Sequence, residues 1–338
     1  MTVPAPAATA HPAALALAGR HRLRWWEPIP WLLALAFYFL FPRHLGFGTD
    51  LLITILFALS LDLALGYAGI VTLGHAAFFG AGAYTAGMLA KHGIWSEPLT
   101  NLMLAAWVAA AIGLASGLVL LRTAGLTLLM LTLCTMGLLE EAANMASEYT
   151  GGYDGLDNVP VPPLFGVLEF NPLYPKTQYL YTLGVLFICF LFVRMLVYSP
   201  FGESLRGIRE NTLRMHAVGA PVRLRLVTCY TISAALAGIA GALWAQTNAY
   251  VNLSAFGLDR AATVLIVLVL GGYGRLYGAF VGALAYMALS HFLSKVYPTA
   301  WQLGLGLLLV VIALFARNGI LGLWDSLLGR FGARRASP

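Results

Sequence analysis

Apolar runs long enough to cross a bilayer recur along this chain from Trp31 to Ala316, separated by glycine, proline or small clusters of charge. A spanning helix needs roughly 20 mostly apolar residues, and lipid offers no partner for an unpaired backbone group. Divided at its breaks, the chain gives ten segments, at 28–41, 49–66, 73–90, 99–121, 124–145, 178–198, 226–247, 258–271, 277–292 and 301–316. The predicted fold is all-α, a polytopic membrane protein of about ten transmembrane helices. The first, eighth and ninth segments are short enough for tilting, breaks or re-entry. With 60% hydrophobic and 10% charged residues and a mean hydropathy of +0.80, no separate soluble domain fits. The expected organisation is an N-terminal tail (1–27), a transmembrane domain (28–322) and a basic C-terminal tail (323–338).

Lysine and arginine collect on the cytoplasmic side of short loops. With both termini inside, only Arg43, Lys91, Lys176, Arg260 and Lys295 fall outside, leaving 15 of the chain's 20 basic residues within. An odd number of spans would break that agreement. The net charge of +6 is therefore read as orientation in the bilayer; it lacks the clustered footprint of a nucleic-acid binder. Cys134, Cys189 and Cys229 lie in apolar runs without CxxC spacing, so neither disulfides nor a metal site is expected.

One segment is out of keeping with the rest. FGESLRGIRENTLRMHAVGAP, 201–221, carries three arginines and forms the core of the largest internal loop, 198–225. Pro200 closes the preceding helix, helix-favouring stretches follow at 203–209 and 212–218, Asn211 is placed to cap the second, and Gly219 and Pro221 end it. Two readings stand: a loop whose arginines attract anionic lipid, or a docking surface. The second uses Leu205, Ile208, Leu213 and Val218 as apolar anchors and Arg206, Arg209, Glu210 and Arg214 as rim charges.

Glycines at 66, 69, 74, 80, 82 and 87 interrupt the second and third segments, and broken backbone survives in a membrane only where it is buried in protein or lines a cavity. Asp62, Tyr67, Thr72 and His75 stand beside these breaks. With Glu140 and Asn248 they form the candidate substrate pathway; His75 has no second ligand at helical spacing and reads as a hydrogen-bonded packing residue. LVLGGYGRLYGAFVGA from Leu268 partly repeats the Gly-Tyr pattern, which suggests a duplicated hairpin. In TGGYDGL, Gly151 and Gly152 make a tight external turn. Asp154 there has three uses open to it: capping a helix, bonding a substrate amine, or meeting a delivering protein.

No GK[ST] phosphate loop exists, because the three lysines follow Ala90, Pro175 and Ser294. The chain therefore borrows an ATPase, uses a gradient, or only conducts. No enzyme motif or catalytic residue is found.

Six blocks carry a resemblance: LALGYAGIVTLGHAAFFGAGAYTAG from Leu63, TAGLTLLMLTL from Thr123, TGGYDGL from Thr150, FGESLRGIREN from Phe201, SAALAGIAGAL from Ser233, and LVLGGYGRLYGAFVGA. In this order, over 49–322, the chain resembles the membrane subunit of branched-chain amino acid ABC importers, a type that also handles urea, short amides and organic acids. The resemblance implies a bacterial inner-membrane permease in which 201–221 is the coupling loop, with Gly219 kept and Arg214, Met215 and His216 in place of commoner small or acidic residues. It implies as partners a second permease subunit, two ATP-binding subunits holding ATP and magnesium, an external solute-binding protein, and membrane lipid. No cofactor is expected on this chain.

Overall fold

The computed structural model describes residues 27–93, 97–160 and 175–296, with 303–304, 306–307, 319–320 and 322 beyond them. Among these, the only β-bridge is a single antiparallel one between Leu156 and Val251. Eleven helices position the site: α1 Ile29–Leu40, α2 Leu45–Leu61, α3 Ala76–Lys91, α4 Pro98–Leu120, α5 Leu126–Met145, α6 Lys176–Val197, α7 Pro200–Glu210, α8 Thr212–Ala217, α9 Val222–Asn248, α10 Leu258–Gly271 and α11 Gly278–Val296. Seven of the described helical stretches are long and apolar enough to cross a membrane, counting α2 and α10 together with the turns that adjoin them; α1 and α3 are shorter. The predicted tenth segment, both tails through residue 26 and from 323, and the proline-rich run 161–174 lie outside the described residues, apart from the short helical pieces at 303–304 and 306–307.

Two helices form the centre. α2 and α9 are mostly buried, α9 lying against α4, α3 and α2, while α5 and α11 leave most of their surfaces open. Contact along α9 is made by small residues, Ser233, Ala234, Ala237, Gly238, Gly241 and Ala245, all buried. Lipid is as apolar as leucine, so helices in it gain by close approach, which small side chains permit.

α2 does not end in an ordinary cap. Its last turn passes into a π-helical turn, Asp62–Tyr67, and the chain then re-enters the bundle through 68–75 before α3 starts at Ala76. A π turn inserts one residue per turn and frequently marks a functional site. Glycine breaks in the sequence thus become a short, interrupted pair of helices. Glu27, assigned to the tail by sequence, is buried instead and pairs with Arg194 of α6.

Candidate functional site

α7 and α8 form by the expected local chemistry. Ser199 accepts a hydrogen bond from the Gly202 amide and Pro200 occupies the first helical position, where its missing donor costs nothing. Asn211 then caps α8 through Oδ1, which accepts from the Arg214 amide at 2.9 Å. Gly219 ends the pair with φ +82°, a left-handed geometry.

The placement of their side chains corrects the sequence reading. Leu205 and Ile208, expected as partner-facing anchors, are 0% and 2% exposed and belong to the bundle's interior. The physical reason is their spacing: three apart, they share one helix face, and that face meets the re-entrant hairpin beneath. Leu213 and Val218 are 83% and 78% exposed, and Glu210, Arg214 and Gly219 are exposed beside them.

Arg206 and Arg209 flank the buried face and turn toward the bundle. The Arg206 guanidinium lies 5.3 Å from the centre of the Tyr67 ring and also pairs with Glu203 at 3.0 Å. Arg209, which keeps an exposed edge, donates from Nη1 to the Gly66 carbonyl and sits 5.2 Å over the Tyr273 ring. Tyr67 and Tyr273 occupy the two Gly-Tyr turns, so two arginines of one short helix grip both glycine hairpins. The hairpins also hold each other: the Gly274 amide donates to Asp62 Oδ1 at 2.7 Å. A Cβ on Gly66 would stand 2.0 Å from that oxygen and 2.5 Å from the Gly274 nitrogen, so only glycine admits this junction. A pocket of about 290 Å³ is lined by Gly66, Tyr67, Arg206, Arg209, Glu210 and Gly274. Beside it opens a larger one of about 950 Å³, its wall including Arg122, Arg223, His216, Leu128 and Leu226.

The remaining expected residues are dispersed. Thr72 and His75 are buried on the re-entrant segment; Thr72 Oγ1 accepts from the Gly74 amide, and His75 Nε2 meets Ser60 Oγ at 3.0 Å and Ser233 Oγ at 3.4 Å. His75 also stacks on Phe57, as a packing histidine should. Glu140 is half-buried on α5, with Tyr84 in electrostatic reach. Asn248 is exposed at the end of α9 and donates back to the Trp244 carbonyl. Gly151 and Gly152 both take positive φ, +75° and +58°, giving the tight turn; Asp154 is exposed and, among the described residues, caps no helix. Thus Asp62 and Tyr67 join the arginine junction, whereas Thr72 and His75 lie deeper and Glu140, Asn248 and Asp154 stand apart. Sequence reasoning missed Tyr273 and Gly274, although the repeated Gly-Tyr pattern pointed at them.

Residues 45–314 match the family described as branched-chain amino acid transport system / permease component. The chain is 30% identical to the high-affinity branched-chain amino acid transport system permease protein LivM of Escherichia coli (strain K12), over a 315-residue alignment covering 86% of this chain and 73% of that protein. The protein of the same description from Salmonella typhimurium gives 30% identity with the same coverage of both. A probable branched-chain amino acid transport permease protein LivM of Methanocaldococcus jannaschii is 30% identical over 106 residues, 31% of each chain. No solved structure matches.

Proposed function

The chain belongs to the branched-chain amino acid transport system permease family, and from that premise we propose that it moves branched-chain amino acids inward through a bacterial inner membrane, driven by ATP hydrolysis in separate subunits. It is a membrane protein and an ABC importer permease subunit. In the proposed assembly it joins a second permease, two ATP-binding subunits and an external solute-binding protein, with about ten spans and both termini in the cytoplasm. The observation that carries the coupling is the grip of Arg206 and Arg209 on both hairpins. Displacement of α7 and α8 by a closing ATPase pair reaches the π turn of α2 and the α10–α11 turn together, because one rigid helix is tied to each. Leu213, Val218, Glu210 and Arg214 form the ATPase-facing surface, an apolar centre with a charged rim.

Co-reconstitution tests this. The four-part assembly in liposomes takes up L-leucine only with ATP inside; uptake by this chain alone on a proton or sodium gradient would overturn the reading. Leu213→Asp with Val218→Asp places two charges where a partner buries apolar side chains, so co-purification of the ATP-binding subunits is expected to fall about tenfold or more. Undiminished recovery would remove α8 from the docking surface.

A further inference from the structure

At the opposite end of the bundle an arginine stands in an unexpected place. Arg260 is in the first turn of α10, whose last residue, Gly271, adjoins the hairpin turn that Arg209 grips. Eleven residues of helix put it roughly 16 Å from that end. The sequence assigns Arg260 to an external connection, but its guanidinium is drawn into the bundle. It is held 4.8 Å from the Trp244 ring of α9 and 5.1 Å from the Phe79 ring of α3. Trp244 and Phe79 themselves pack at 6.0 Å.

Two rings stabilise the charge, but not the donors on the guanidinium edge. Among the described residues Arg260 makes no hydrogen bond and no ion pair; the ion pairs formed are Arg194 with Glu27 and Arg206 with Glu203. Asp50 of α2 is the carboxylate in electrostatic reach and Tyr286 of α11 stands nearby, its hydroxyl 3.3 Å from Thr263 Oγ1. Asp50 is exposed. Five helices therefore meet around a half-buried arginine that makes no ion pair with the exposed carboxylate in its electrostatic reach. A charge kept within a membrane bundle without a paired partner is costly, and it persists where a permeating group supplies the missing half.

We propose that Arg260 and Asp50 form a waypoint for an amino acid zwitterion, the solute's carboxylate received by the Arg260 fork and its ammonium by Asp50. The pairing follows from chemistry. Arginine presents parallel donors that match a carboxylate bidentately, and an α-amino acid carries a carboxylate and an ammonium one carbon apart, one charge for each of the two side chains. Trp244 and Phe79 lie against the guanidinium and leave its hydrogen-bond donors for a ligand. The waypoint rests on the reading of the chain as an amino acid permease; high-affinity selection belongs to the binding protein, and this pair receives what is delivered.

The test is the ratio of L-leucine moved to ATP hydrolysed by the complete assembly in liposomes. Arg260→Gln is expected to lower that ratio at least about tenfold, the loss of one charge-assisted pair. Arg260→Lys and Asp50→Asn, read the same way, lower it by smaller factors, and they decide the matter if Arg260→Gln does not assemble. A ratio that stays at the wild-type value in the assembled variants, whether or not both rates fall together, overturns the waypoint and leaves Arg260 a packing residue. A wild-type assembly with no ATP-driven leucine uptake would instead strike the parent reading.

Discussion

Arg209→Ala is expected to reduce ATP-driven leucine uptake at least about tenfold while the ATP-binding subunits still co-purify with the permease. Arg209 joins α7 to both hairpins, donating to the Gly66 carbonyl on one and covering Tyr273 on the other. Truncation removes a hydrogen bond from a charged donor, a contribution of about 1.5–3 kcal/mol, and leaves the carbonyl at the π turn without that partner. The Asp62–Gly274 bond remains, so the hairpins still hold each other. What is lost is the rigid tie to the helix that an ATPase moves. Arg209→Lys keeps the charge but not the flat, forked geometry, and should fall between wild type and alanine. Uptake equal to wild type in Arg209→Ala would show that displacement reaches the bundle by another route, with the buried pair Leu205 and Ile208 the next to examine.

This outcome differs from the one the sequence alone suggests. Read by composition, Arg206 and Arg209 are rim charges facing a partner, and reversing them should release the ATPases. The helix itself was legible: Ser199-Pro200 opens it, Asn211 separates it from α8, and Gly219 closes α8, all local signals. Which flank faces the bundle was not, because that depends on Tyr67 and Tyr273, which lie more than 60 residues away in each direction. The hydrophobic runs located the helices through α11 to within a few residues, since length and apolarity are properties of a window. The bond between Asp62 and Gly274 spans 212 positions, and no window contains it. Arg260 was hidden for a related reason: next to Asp259 at the start of a run it reads as the polar end of a span, and only the approach of Trp244 and Phe79 from other helices draws it inward.

Gly241→Ala tests the packing on which both ends of the bundle depend, and a large loss of stability is expected from a single methyl group. An ideal Cβ at Gly241 would lie 1.9 Å from the Phe79 carbonyl oxygen, a backbone atom that no rotamer change can move aside. The opposing contact is equally close, since a Cβ on Gly82 would stand 2.2 Å from the Gly238 oxygen. α3 and α9 must therefore separate to admit the alanine, and overpacking of this kind costs about 1–3 kcal/mol. The separation would be felt on both sides of the contact, by Ser233 bonded to His75 below and by Trp244 and Phe79 around Arg260 above. In detergent the melting temperature should fall by roughly 1–4 °C for such a loss in a chain of this size. Gly137→Ala on α5 serves as the comparison, because nothing lies within 4 Å of a Cβ there and alanine favours the helix. If Gly241→Ala melts with Gly137→Ala, α3 and α9 are not held at the distance that places Phe79 against Arg260, and the waypoint loses one of its two rings.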